Sequence, residues 1–200
     1  ISEQVYSVAG TPADCVAIGL GKIMKNDPPD IVVSGTNHGL NVGIDVNYSG
    51  TVGAATEAAL IGYKAIAVSA DTSDLNDEQC EGIFLDAAKL TGKVLEHIST
   101  IHWPKLQVIN INVPYQSKGV KLAECGGESL YKPNIEEICS ETQKNTRLYL
   151  IGGTERFEPM DLSQDVSIVS SGFSTLSFIQ TKQSSVSNQN LEHVLNKIVS

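Results

Sequence analysis

The first half of the chain switches repeatedly between two hydrophobic periods. "GTPADCVAIGLGKIMK" (10–25) has helical spacing, with Cys15, Ile18 and the Ile23–Met24 pair as its expected apolar stripe. Thr11 is placed to cap this helix, Pro12 to occupy its first position, and Asp14 to close a capping box. "NDPPD" stops it. "IVVS" (31–34), "AIAVSA" (65–70) and "LQVININ" (106–112) are short, continuous, mostly β-branched runs, as in strands buried on both faces. Between them lie the small-residue helix "TVGAATEAALIG" and a longer one capped by Asn76 with Gln79. The apolar face of that longer helix is expected at Phe84, Ala87, Thr91, Val94, Leu95 and Ile98. Strand, helix, strand, helix, strand predicts a parallel sheet with helices on both faces.

Beyond Pro114 the pattern changes. "KGVKLAECGG" (118–127) and "TRLYLIGG" (146–153) read as strands joined by a polar connection, and "GFSTLSFIQ" (172–180) as a further strand. A Ser-rich linker (180–190) precedes a last helical pattern, with Leu191, Val194, Leu195 and Ile198 on one face. The expectation is a single domain over 1–200. Its α/β core takes 1–114, a β-rich extension 115–182 and a C-terminal helix 183–200.

Composition removes some function classes. A formal charge of −9, from 14 basic and 23 acidic residues, argues against a nucleic-acid polymer or an anionic membrane as main partner. No apolar run reaches membrane-spanning length, and the start "ISEQVYSVAG" lacks the basic and apolar segments of a signal peptide. Cys15, Cys80, Cys125 and Cys139 have no metal-type spacing and read as reduced thiols, so a cytoplasmic location is expected.

The chemistry is concentrated in "SGTNHGLNVGIDVNYSGT" (34–51), which contains no Lys or Arg. It follows a strand, and ligands collect at the carboxyl ends of strands in open α/β sheets. Gly35, Gly39 and Gly43 permit tight turns and close backbone approach. Ser49 or Thr51 would cap the next helix, whose free amides and partial positive charge suit a phosphate. Asn37 carries a neutral oxygen of the kind hard cations accept. Each residue also has a plain reading. Asn37 could stabilise its own turn, His38 could be an ordinary loop residue, Asp45 a turn former, and Ser49 and Thr51 simple caps. The glycine spacing does not match the dinucleotide fingerprint, and no P-loop or nucleophile elbow is present.

The segment "PDIVVSGTNHGLNVGIDVNYSGTVGAATEAALIGYKAIAVS" resembles the SurE survival-protein family of metal-dependent nucleotidases. "GTPADCV", "NINVP" and "QDVSIVSSGFSTLSFI" resemble that family's other blocks in the same order. The resemblance implies a Rossmann-like three-layer α/β sandwich, mostly parallel, with a β-rich extension used in oligomers. It implies hydrolysis of nucleoside 5′- and 3′-monophosphates with one divalent cation, Mg²⁺ or Mn²⁺, per subunit. The strand edges expected between about Lys118 and Thr181 predict pairing with another subunit in a homo-oligomer (dimer or tetramer). It makes Asn37 a metal ligand and puts Ser49, Gly50 and Thr51 beside the phosphate. Gly35, Thr36, His38, Gly39 and Asn41 become the surrounding substrate loop. The family's paired acids, Asn-Asp-Asp-Gly, have no counterpart in these 200 residues. They are expected upstream of Ile1, and the chain is read as truncated. The alternative is a homologue that binds nucleotide or phosphate without turnover. Phe178 stands where the family block has Pro.

Overall fold

The computed structural model describes residues 5–138, 148–155 and 161–181. Its centre is a five-stranded sheet in the order β1-β2-β3-β7-β4. The strands are β1 (Ile31–His38), β2 (Lys64–Ala70), β3 (Gln107–Val113), β7 (Ser174–Gln180) and β4 (Val120–Leu122). β1, β2 and β3 run parallel. β7 is antiparallel to β3 and parallel to β4. The helices are α1 (Pro12–Ile18), α2 (Gly50–Ile61), α3 (Asp77–Glu96) and α4 (Asp165–Ser170).

Alternation along β2 and β3 separates the two faces. Ile66, Val68, Ala70, Ile109, Ile111 and Val113 pack with Ile83, Ala87 and Val94 of α3. Ala65, Ala67 and Val108 pack with Val52, Ala55, Ala58 and Ala59 of α2 and with Leu20. Both faces are apolar, which is why the strands read as continuous hydrophobic runs. The result is the three-layer α/β sandwich that the sequence predicts.

Local signals place the helices closely. Thr11 and Asp14 form the capping box of α1, and Asn76 and Gln79 form that of α3. The inward stripe of α3 is Ile83, Ala87, Thr91 and Val94, with Phe84, Leu90 and Leu95 partly buried against the same core. The α1 stripe differs from expectation. Cys15, Ile18, Ile23 and Met24 are exposed, and the contacts with the α2 side come from Val16 and Leu20. A π-type turn over Gly19–Ile23 widens the helix after Ile18 and turns Leu20 inward.

The division at residue 115 also needs correcting. β4 and β7 belong to the main sheet, because β7 makes a six-residue ladder with β3. Only β5 (Tyr131–Ile138) and β6 (Leu148–Glu155) stand apart, as a two-stranded hairpin. β5 was not legible as a strand because "YKPNIEEI" carries a proline and two glutamates. A two-stranded ribbon has open edges on both sides, where a missing amide is tolerated. The expected C-terminal helix over 183–200, and Cys139, lie outside the described residues.

Candidate functional site

β1, β2 and β3 end together at His38, Ala70 and Val113. The helix following β1 runs back along the sheet, so its N-terminus lies at this same carboxyl edge. β1 does not end smoothly. Between Ser34, opposite Ala67, and Asn37, opposite Ser69, two residues of β1 face one of β2. This bulge re-aims Asn37. It requires Gly35, which has φ +127°, because a Cβ there would collide with the Val68 carbonyl oxygen. Thr36 is the other bulged residue and is partly buried.

Asn37 is held by its amide nitrogen. Nδ2 donates to the carbonyls of His38 and Gly39, at 2.9 Å each. Two carbonyl acceptors can only face the NH₂ group, so the side chain is fixed with Oδ1 turned away from them. No hydrogen bond to Oδ1 occurs among the described residues. An amide oxygen oriented in this way is a suitable hard-cation ligand. The same two bonds also make Asn37 a turn stabiliser, so the plain and the functional roles are compatible.

His38 has an evident structural part. Its Nδ1 lies 3.1 Å from Thr72 Oγ1, and its ring meets Phe84 edge-on at 4.7 Å. Gly39 extends the ladder by donating to Ala70 O at 2.8 Å and turns the chain at φ +93°.

Asn41 is buried and fully engaged with the sheet. Its backbone amide donates to Asn112 Oδ1 at 2.8 Å and its Nδ2 to Ser69 Oγ at 2.6 Å. Its carbonyl accepts from Asn110 Nδ2 and Asn112 Nδ2, at 2.8 and 2.9 Å. Ser69, Asn110 and Asn112 continue the same-face rows begun by Ala65, Ala67 and Val108 on the α2 side, so the apolar floor turns polar beneath the loop. Asn41 therefore anchors the loop. Of these partners, the sequence reading set apart only Asn110 and Asn112, within the "NINVP" block. The regularity that exposes them is Asn at alternate positions of an otherwise aliphatic strand.

Gly43–Tyr48 form a 3-10 helix leading directly to α2. Ser49 is the N-cap, its hydroxyl accepting from the Val52 amide at 3.1 Å. Thr51 lies inside the first turn, so of the two candidate caps Ser49 is the one used. Gly50 has a reason of its own. A Cβ there would stand 3.1 Å from Pro12 Cγ, so the glycine lets α1 approach α2. A freely accessible phosphate is not needed to explain it.

Sequence reasoning gave no role to the group that holds the middle of this loop, although it falls within the "QDVSIVSSGFSTLSFI" block. Asp165, at the start of α4, is fully buried, and its Oδ1 accepts from Gly43 N at 3.0 Å and from Val166 N at 2.9 Å. Burial pushes its carboxyl upward in pKa, against the hydrogen bonds from Gly43 and Val166. Burial, and then the Asp165 charge, push the nearby Cys125 thiol up to about 12. Asp45 makes a further tie, its Oδ2 accepting from Leu130 N at 3.1 Å.

The charged ligands of a metal centre are not gathered here. Among the described residues no three of His, Cys, Asp and Glu are grouped to hold a metal ion. What stands at the carboxyl edge is an oriented amide oxygen, a capped helix start and, between them, a loop hydrogen-bonded to the sheet and to Asp165.

The family model described as "Survival protein SurE" matches residues 1–132. The chain belongs to the SurE family. A protein of Thermoanaerobacter sp. named 5′-nucleotidase SurE is 44% identical over 133 residues, covering 65% of this chain and 50% of that protein. The same name is carried by a Petrotoga mobilis protein, 36% identical, covering 88% of this chain and 69% of its own. The crystal structure of the SurE protein from Aquifex aeolicus superposes with a TM-score of 0.66 at 27% identity, covering 96% of this chain and 74% of that one. The chain thus spans about half the length of the Thermoanaerobacter relative. No described helix is long and apolar enough to cross a membrane.

Proposed function

We propose that the protein carrying this chain is a phosphomonoesterase that converts nucleoside 5′- and 3′-monophosphates to nucleoside and phosphate with a divalent cation, Mg²⁺ or Mn²⁺, one per subunit. Family membership supports the reaction class. Among the observations on this chain, the orientation of Asn37 carries the reading, because an amide pinned through nitrogen presents oxygen and only oxygen. Asn37 supplies one ligand. A divalent ion takes about six oxygens, several of them carboxylate or water, so Asn37 would be one ligand among several. Such an ion, when bound, neutralises charge on the phosphoryl oxygens and acidifies water. The chain's own contribution is placement. The α2 start offers unpaired amides and about half a positive charge to the remaining phosphate oxygens. The absence of Lys and Arg from the loop is then understandable, because the cation and the helix start supply the positive charge.

The test is phosphate release from AMP and GMP by the complete gene product, with and without Mg²⁺ or Mn²⁺. Cation-dependent release is expected, and Asn37→Ala should lower it by orders of magnitude without unfolding the protein. Full activity in that variant would remove Asn37 from the site. That no acidic cluster is gathered among the described residues favours a second reading, a homologue that binds nucleotide without turnover. Calorimetric binding of AMP with no release under any cation would establish it.

A further inference from the structure

The loop over 41–48 is held from a distant part of the chain, at one point by a group costly to bury. Asp165 is 0% exposed and lies 122 positions from Gly43, whose amide it accepts. Its second oxygen, Oδ2, completes no hydrogen bond. Burying a carboxylate with incomplete pairing is unfavourable. A neutral acceptor would hold this turn at less cost, so the arrangement suggests that the position of Gly43 itself matters.

The surroundings agree. Gly43 has φ +56°, and a Cβ there would strike the Glu128 carbonyl oxygen and approach Val166 Cγ2 to 2.8 Å. Val42, Leu130, Val166 and Val169 close a small apolar cluster around the junction. From Gly43 one 3-10 turn, with Ser49 N donating to Val46 O at 3.3 Å, leads to the cap of α2. A shift at Gly43 therefore moves the start of α2.

We propose that Asp165 is a positioning residue for the phosphate-binding loop: its carboxylate fixes Gly43, and through the 3-10 turn fixes the α2 start against the substrate phosphate. The proposal rests on the reading of that helix start as the phosphate site.

The experiment compares Asp165→Asn and Asp165→Ala in the complete gene product. Asparagine keeps an acceptor for Gly43; alanine removes it. Hydrogen exchange of amides 43–48 is measured beside kcat and KM for AMP. Alanine should speed exchange in 43–48 while leaving α3 unchanged. It should also lower kcat/KM per folded molecule by about 100-fold, the scale of an ångström-sized misplacement. Asparagine should restore most of both. If alanine does not fold, Asp165→Ser takes its place, since its hydroxyl is too short to reach the Gly43 amide. Unchanged exchange in 43–48, or unchanged turnover per folded molecule, overturns the proposal. A wild type that releases no phosphate defeats the nucleotidase reading instead, and the exchange result alone then decides whether Asp165 holds the loop.

Discussion

Ile66, Val68, Val108 and Ile111 in the central sheet are at most 2% exposed, whereas Ile135, Leu150 and Ile151 in the β5–β6 hairpin are 65%, 54% and 77% exposed. Both regions consist of paired strands rich in β-branched and aliphatic residues. The sheet has α3 on one face and α1 with α2 on the other. The hairpin has neither face covered among the described residues. Ile135 lies directly opposite Ile151, and Ile138 opposite Leu148, on opposite faces of the ribbon. Strand propensity makes a ladder in both places; only a second layer turns a ladder into a core. A lone two-stranded ribbon is marginal in water. We propose that a second copy of the chain covers the hairpin, giving the symmetric dimer or tetramer expected from the sequence.

The sharpest way to break this comparison is to truncate one side chain in each region. Ile111→Ala should destabilise the protein by about 2–5 kcal/mol, because it leaves a cavity between the sheet and α3. Ile151→Ala should change the stability of an isolated monomer by no more than about 0.5 kcal/mol. Denaturant unfolding at low protein concentration measures both. Equal losses would mean that the hairpin is as well packed as the sheet.

The next test concerns what covers the hairpin. Ile135→Lys with Ile151→Lys places two like charges opposite each other on an exposed face. Sedimentation at micromolar concentration should show wild type as a dimer or tetramer and the double variant as a smaller species. A monomeric wild type would mean that a second copy does not cover the hairpin.

The contrast also explains what the sequence revealed. β1, β2 and β3 were legible because burial on both faces demands uninterrupted apolar runs, and α1 and α3 because their caps are local in sequence. β5 was not legible, since the signals of Pro133, Glu136 and Glu137 oppose strand formation unless both edges are open. The candidate site divides similarly. Asn37, Gly39 and Ser49 lie in one contiguous stretch whose residue types already state their chemistry. Asp165 meets Gly43 only after β3, the hairpin and the α4 turn bring them together, and no local pattern in "QDVSIVS" marks that meeting. Gly50 shows the opposite limit: its type suggests phosphate approach, and nothing local to it announces the packing against Pro12.

The junction between the two regions gives a subtler test. Cys125 lies just before the hairpin, yet its thiol is pushed up to about 12, first by burial and then by Asp165. An acid whose folded pKa is raised keeps its proton after the unfolded chain has lost it. The folded state then binds more protons, and stability falls as pH rises from 9.0 toward about 12. In the folded protein at pH 8, iodoacetamide should modify exposed Cys15 and spare Cys125, with peptide mass spectrometry reading each site. Equal labelling would mean that the junction opens as readily as the hairpin surface.

The smallest expected effect separates capping from catalysis at the start of α2, part of the layer that the hairpin lacks. Ser49 accepts the Val52 amide, so Ser49→Ala should cost about 1 kcal/mol of stability. Thr51 has no cap bond to lose, and Thr51→Ala should stay within about 0.5 kcal/mol. Activity should not follow this order. If Thr51 lies beside the substrate phosphate, its alanine variant should lose turnover in the complete gene product while melting like wild type. Unfolding and phosphate release measured on the same two variants decide the matter. Turnover lost only in proportion to stability would leave the helix start as a well-capped turn and move the phosphate elsewhere. Gly50→Val cannot make this distinction, because its side chain would press on Pro12 whether or not phosphate binds nearby.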